Sequence, residues 1–459
     1  MTDKKLKVLM LGWEFPPLLT GGLGPACYGL AKALSTKVEL TLIIPRTDPT
    51  HLTEKFNLLG LNQVDLDKLA QEKQKSKKAF EEIAKEVEYI EATFDPYPFE
   101  LTPEEKPQTE NTPSLLRPKQ YTISQAWVNL DLQIPKIPPK QAQKYFEDTE
   151  NYGPEIMEKV QAYTEVVTHL AMDKDFDIIH AHDWITFPAG IEIKKRVKKP
   201  LVVHVHSLET DRVVNPYARN KVYEIEQKGM QFADWVFPVS HFTKDNIVKY
   251  YGIQPDKIFP IHNSIAPQKK QPAPKNSNGT KTVMFMGRVT RQKGPEFLVD
   301  TAQRLLQKMD NVRFLVVGVG DCLRETMFLA KEKGVSDKMQ FMGFLNREKI
   351  DELLCGTDVY FMPSVSEPFG LSALEAAQFQ IPVLLSSQSG VSEVLPNALK
   401  ADFWDTDKFA NYLYALLNYQ GLYQDLTALI QQDLQKSTWE KAAEKVVYYY
   451  QKLEETYFK

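Results

Sequence analysis

Twice along this chain a short apolar run leads through a glycine-bearing loop into a segment with helical spacing. Lys7–Leu11 precedes Thr20–Gly24 (TGGLG) and the helical pattern Ala26–Leu34, and a second apolar run follows at Val38–Ile44. Val283–Met286 precedes Gly287–Gly294 (GRVTRQKG) and Glu296–Lys308, followed by Arg313–Gly318. A strand, a tight loop, a helix and a second strand form a βαβ unit, whose parallel strands are buried by helices on both faces. Between the two halves lies PQKKQPAPKNSNGT, residues 267–280, polar and proline-rich as an interdomain linker is.

The same alternation predicts strands at Asp177–Ala181, Leu201–His204, Trp235–Val239 and Lys257–Ile261, with helices near 145–172, 214–231 and 242–250. In the second half it predicts strands at 339–342, Val359–Met362 and Val383–Ser386, and helices at 323–333, 347–354 and Ser372–Gln378. The expected fold class is α/β, two Rossmann-like domains facing one another across a cleft. Ligands of such sheets sit at the carboxyl ends of the strands. The first domain is drawn as residues 1–266, the second as 281–437, and a separate helix as 438–459. Ser437 and Glu440 have capping-box spacing for that helix, and Trp439, Ala442, Ala443, Val446, Val447 and Tyr450 make its apolar stripe.

Residues 46–142 break the pattern. Asp67–Ile90 reads as a charged amphipathic helix carrying Lys73, Lys75, Lys77 and Lys78, and 96–139 hold nine of the 29 prolines. This stretch is taken as an insertion in the first domain. Its lysines suit either a solvated helix face or contact with an anionic partner.

A chain of 459 residues buries large cores without a disulfide framework. Its 56 basic and 60 acidic side chains leave a net charge of −4, which argues against a nucleic-acid binder. Cys27, Cys322 and Cys355 form no CxxC pair, so neither a disulfide scaffold nor a zinc site is expected, and reduced thiols suit a cytoplasmic setting. The opening MTDKKLKVLMLGWEF lacks a long apolar core and is read as a strand, not a signal peptide.

Four segments carry chemistry. The TGGLG loop opens a helix, where glycines admit close backbone approach and a helix N-terminus attracts anions; a structural turn fits the spacing equally well. His180-Ala-His182-Asp183-Trp184 ends a strand, and His204 and His206 repeat the arrangement on the next. These histidines suit an orienting hydrogen bond to a hydroxyl or a role within the sheet edge, and no HExxH pattern accompanies them. Arg288 and Lys293 flank a loop in which two cations suit a diphosphate; the Walker A pattern and the dinucleotide GxGxxG pattern are both absent. Ser366-Glu367-Pro368-Phe369-Gly370-Leu371 runs into a helix bearing Glu375, placing two carboxylates near a helix start.

Together these residues resemble the retaining glycosyltransferases of the GT-B fold, in particular glycosyltransferase family 4 and the bacterial glycogen and starch synthases. The resemblance rests on FPPLLTGGLG, HAHDW, GRVTRQKG, VGVGD and SEPFGLSALEAAQFQIPVLLSSQSGVSEVL, and on HVHSLETDR and SHFTKDNIVKYYGI for the glycogen-synthase side. It implies that Arg288 and Lys293 hold the donor diphosphate, that Glu367 binds donor-sugar hydroxyls, and that Glu375 binds the ribose. It further implies that Phe369, Gly370 and Leu371 offer backbone groups, that Gly21, Gly22 and Gly24 approach from the opposite domain, and that His182 lies beside the transferred sugar. The base is placed near Gly343–Leu345.

The implied activity is transfer of a hexose, glucose foremost, from UDP- or ADP-glucose to an α-glucan, with no metal or other cofactor. ADP-glucose enzymes of this group carry a lysine before the paired glycines and an aspartate after them. Thr20 and Pro25 stand there instead, so the base stays open. A lipid-linked or small acceptor at a membrane surface, with peripheral membrane contact, and a non-catalytic sugar-nucleotide scaffold are the alternatives.

Overall fold

The computed structural model describes residues 5–16, 21–48, 56–64, 145–146, 152–213, 217, 219–266 and 279–457. The linker core, Thr20, the lysine cluster at 73–78 and nearly all of the expected insertion lie outside them.

The first sheet contains β1 (Lys7–Leu11), β2 (Glu39–Ile44), β3 (Asn57–Gly60), β4 (Ile178–His182), β5 (Leu201–Val205) and β6 (Trp235–Pro238), in the order β3-β2-β1-β4-β5-β6. The second contains β7 (Lys281–Met286), β8 (Val312–Val317), β9 (Met339–Gly343), β10 (Val359–Met362), β11 (Val383–Ser386) and β12 (Leu399–Ala401), in the order β12-β11-β10-β7-β8-β9. Every pairing within both sheets is parallel. Counted from each sheet's own first strand, the two orders are the same, 3-2-1-4-5-6. The chain reverses direction across each sheet between β1 and β4, and again between β7 and β10. Doubly wound sheets open a crevice at that switch point, because the loops on either side lead to opposite faces.

The central strands are apolar throughout, as burial on both faces requires. Val8, Met10, Ile178, Val202 and Phe237 belong to one core; Val283, Phe285, Phe314, Val316, Phe361 and Leu384 belong to the other. The helix Trp439–Tyr457 packs on the first sheet, although it follows the whole of the second. Trp439, Ala442, Ala443, Val446, Tyr450 and Leu453 are its buried face, while Val447 is only half-buried. Gly29, on the helix Leu23–Leu34, leaves the space that the Trp439 indole occupies.

Several local expectations are corrected. Lys257–Ile261 forms no ladder strand: Ile258 makes one bridge to Val236, and Phe259 N and Ile261 N donate to Val236 O and Pro238 O, while Pro260 between them has no N–H to offer a further neighbour. β3 lies within the stretch read as insertion, and pairs with β2 from Thr41↔Asn57 to Ile44↔Gly60. β12 and the helices Thr406–Asn418 and Gln420–Lys436 were not read from the sequence. The segment expected to be one helix over 242–250 is α-helical only across His241–Asn246, then continues as a π turn, Ile247–Tyr251, closed by Gly252 at φ 68°. The cap of the last helix is Thr438, whose Oγ1 accepts from Lys441 N at 3.3 Å; Ser437 N instead donates to Leu434 O.

Candidate active site

The loops that leave the two switch points carry nearly all the residues singled out above. After β7 the chain runs through Gly287 and exposed Arg288 into a short 3-10 turn, Arg291–Lys293. Gly294 ends that turn at φ 64°, and a side chain there would strike the Pro363 carbonyl at the end of β10. Only glycine meets both conditions, which lets the Lys293 loop lie directly on the loop after β10. Val365 N donates to Gln292 O at 2.9 Å, stitching the two together.

That contact brings Lys293 Nζ onto Glu367 Oε2 as an ion pair, with side chains only 17% and 6% exposed. Glu367 is further fixed by its backbone: its N–H donates to Gln388 O and its carbonyl accepts from Gly390 N, both at 2.9 Å. A charge so nearly buried is costly without a partner. Gly370, at φ 105°, then turns the chain into the helix Leu371–Gln378. Glu375 sits on that helix, one-quarter exposed, and accepts from Arg347 Nη1 at 2.8 Å. Arg347, missed from the sequence, reaches it from the helix Arg347–Cys355; an arginine at a first helical turn gives no signal of such a partner. At the end of β9, Gly343 has φ 69°, and the next residue, Phe344, is 81% exposed.

On the first sheet, Gly21 and Gly22 are exposed at the start of the helix Leu23–Leu34, in which Gly24 is buried. Gly21 N donates to Glu14 Oε2 at 3.3 Å. Glu14, only 2% exposed, was not read from the sequence; an acid directly after an apolar strand, in GWEF, was the available signal. A methyl group added at Gly22 would stand 3.8 Å from Leu371 Cδ1, so the glycine loop and the Phe369-Gly370-Leu371 loop face each other.

His182 has no exposed surface. β4 and β5 run in register, His182 beside His204, so His180, His182, His204 and His206 form one stack on a common face. His182 Nδ1 lies 2.9 Å from His206 Nε2 and 3.3 Å from Cys27 Sγ; His180 Nε2 lies 3.2 Å from His204 Nδ1, and His180 Nδ1 is 2.5 Å from the Tyr450 hydroxyl. Burial disfavours the charged imidazolium, taking His180 and His206 down to about 3 and the other two well below their usual range. Cys27, His182 and His206 bring a sulfur and two nitrogens within 4.8 Å of one another, as do the nitrogens of His180, His182 and His204. The meeting of His204, His206 and Cys27 with His182 was not read from the sequence. Rings inclined by only 14–29° direct their in-plane lone pairs side by side rather than to one point. The arrangement is that of a hydrogen-bonded neutral stack. His182 Nε2 is buried and has no hydrogen-bond partner among the described residues.

Asp183 follows at φ 58°, accepting from His206 N at 2.7 Å. Burial raises it to about 7, against the lowering effect of that bond.

This geometry sets two basic and two acidic side chains from one sheet opposite a glycine loop from the other, at paired switch points. Known proteins resemble this chain in sequence and in fold. The chain matches the profile for the starch synthase catalytic domain over residues 7–99, that for glycosyltransferase family 4 over 153–269, and that for group 1 glycosyl transferases over 267–432. An uncharacterized glycosyltransferase of Methanocaldococcus jannaschii is 29% identical over 300 residues, which cover 61% of this chain and 76% of that protein. Glycogen synthase of Mycobacterium tuberculosis is 23% identical over 403 residues, covering 85% and 80%. The catalytic domain of Arabidopsis thaliana starch synthase IV, solved with ADP and acarbose, superimposes with a TM-score of 0.64 at 13% identity, over 99% of each chain.

The chain is a glycosyltransferase of the GT-B fold. Within that class it is similar to the glycogen and starch synthases. Among the described residues no helix is long and apolar enough to cross a membrane.

Proposed function

We propose that the protein transfers glucose from a nucleoside-diphosphate donor to the growing end of an α-glucan, with retention of anomeric configuration, without a metal ion, and in the cytoplasm. The observation that carries this reading is the Lys293–Glu367 pair at the second switch point, with exposed Arg288 on the same loop as Lys293 and the glycine loop opposite. A donor diphosphate between these groups would meet the cations Arg288 and Lys293 and the backbone of Gly21 and Gly22. Its sugar would meet Glu367, whose carboxylate accepts hydrogen bonds from hydroxyls. Glu375 would accept from the ribose, and Phe344 would offer its exposed ring to the base.

In the transfer itself, the bond from the anomeric carbon to the diphosphate oxygen breaks as negative charge gathers on that oxygen. Arg288 and Lys293 stabilise the charge in place of a divalent cation. The acceptor hydroxyl attacks from the face the diphosphate leaves, its proton passing to the departing phosphate oxygen. No side-chain nucleophile enters. His182, fully buried in this structure, would back the sugar site from behind.

The test measures nucleoside-diphosphate release from UDP-glucose and from ADP-glucose, each with and without glycogen, in wild type and in Glu367→Ala. Glycogen-dependent release from one donor, lost in the variant and unaffected by a chelator, supports the proposal. Release indifferent to glycogen rejects the glucan acceptor, and release from neither donor rejects glucose transfer.

A further inference from the structure

The loop that carries Glu367 is gripped by the first half of the protein on both sides of that residue. Ser366 Oγ donates to Asp211 Oδ1 at 2.7 Å. Pro368 O accepts from Ser240 Oγ at 2.7 Å and from Thr243 Oγ1 at 3.3 Å. All three grips cross from the first sheet's connections to the second's, and they bracket a single carboxylate.

The gripping residues are themselves held. Asp211 is 5% exposed on the one-turn helix Glu209–Arg212, with its second oxygen accepting from Leu208 N at 3.0 Å. The next residue, Arg212, donates to Ser207 Oγ at 2.7 Å and to Glu209 and Glu226 at 2.9 Å each. Glu226 also accepts from Glu209 N and from the Tyr251 hydroxyl. Ser240 caps the helix His241–Asn246, accepting from Thr243 N at 3.0 Å while it donates to Pro368 O. Neither partner on the first half is free to follow the loop.

We propose that Asp211 and Ser240 are positioning residues for the transfer: they aim Glu367, through Ser366 and Pro368, only when the two halves are together. Cleft closure and placement of the sugar-binding carboxylate are then one event. An open enzyme holds the Lys293–Glu367 pair but lacks the two lateral supports, and misplacement of a reacting partner by about 1 Å costs on the order of a hundredfold in rate. The proposal rests on the donor-site reading of Glu367 for its catalytic consequence, although the grip itself is independent of that reading.

The experiment combines transfer kinetics with amide exchange across residues 364–370, using Ser366→Ala, Ser366→Thr, Asp211→Ala and the Asp211→Ala/Ser366→Ala double variant. Ser366→Ala also takes a donor from buried Asp211 Oδ1, so the thermal midpoint of every variant is measured, and amide exchange outside 364–370 separates aim from folding. The expected result is an exchange rate at the Glu367 amide raised about tenfold in Ser366→Ala and Asp211→Ala, with kcat about tenfold lower. Ser366→Thr restores both, and the double variant is no worse than either single change, because both remove the same bond. Unchanged exchange in Ser366→Ala, or single effects that multiply in the double variant, overturns the proposal. Altered exchange in a protein whose wild type transfers no sugar leaves the grip standing and removes the donor-site reading.

Discussion

Lys293 and Glu367, far apart in sequence, meet as an ion pair because Gly294 lets the loop after β7 lie against the end of β10. Each then covers the other's desolvation. Lys293→Ala and Glu367→Ala are each expected to lower transfer by about a hundredfold or more. Each also leaves a charge without its partner, so the Lys293→Ala/Glu367→Ala double variant is expected to melt at a higher temperature than Lys293→Ala alone. Thermal unfolding of the three proteins checks the stability half, and product release checks the other.

The Glu375 carboxylate, taken up by Arg347 in this structure, is expected to act in binding rather than in the bond-breaking step. Glu375→Gln should raise the donor KM about tenfold while leaving kcat within about a factor of three. An equal fall in kcat and in kcat/KM would place Glu375 in the transition state instead.

His180 makes the pH dependence of stability specific. Its folded value of about 3 lies below the ordinary 6.5, so the unfolded chain binds the proton more readily between those values. Its contribution is therefore present above pH 6.5 and is lost as pH falls toward 3. Urea midpoints of wild type and His180→Asn at pH 7 and pH 4.5 are expected to show the gap between them narrowing in acid, by up to about 1.4 kcal/mol for each pH unit inside the window.

Tyr450→Phe removes the buried hydroxyl that faces His180 Nδ1 at 2.5 Å, without changing the shape of the core. The expected cost is about 1–3 kcal/mol, from a nitrogen left without its partner. Equilibrium unfolding by urea measures it. A loss well above that range would mean that the helix Trp439–Tyr457 separates as a unit.

Much of the donor half of the site is legible in the sequence because it is local. Gly287–Gly294 and Ser366–Leu371 each pack several functional groups into one loop, and loops after strands of a doubly wound sheet converge by topology alone. Lys293 and Glu367 were assigned to one donor site on the resemblance, and their ion pair was not read. What escaped is non-local and individually ordinary: Arg347 reaching Glu375, Glu14 holding Gly21, Asp211 holding Ser366. The histidines were seen as two separate pairs. Their union into one stack depends on the β4–β5 register, His182 beside His204, which periodicity cannot fix. The strand expected at Lys257–Ile261 is reduced to one bridge and two hydrogen bonds to β6, with Pro260 inside it, a feature set aside there in favour of the apolar pattern. β12 is only three residues long, too short for alternation to register.

The helix Trp439–Tyr457 completes the first core from beyond the second sheet. On a ribosome, the first sheet would therefore emerge with its Gly29 face uncovered, and would stay so while the entire second sheet was being made. The two halves cannot mature as independent beads in order of synthesis. The first must wait, partly built and with apolar surface showing, for a strap encoded after its neighbour. A chaperone's need for this protein would accordingly be set by the time taken to translate the second half, and slowing translation there should lengthen that need without any change in the folded product.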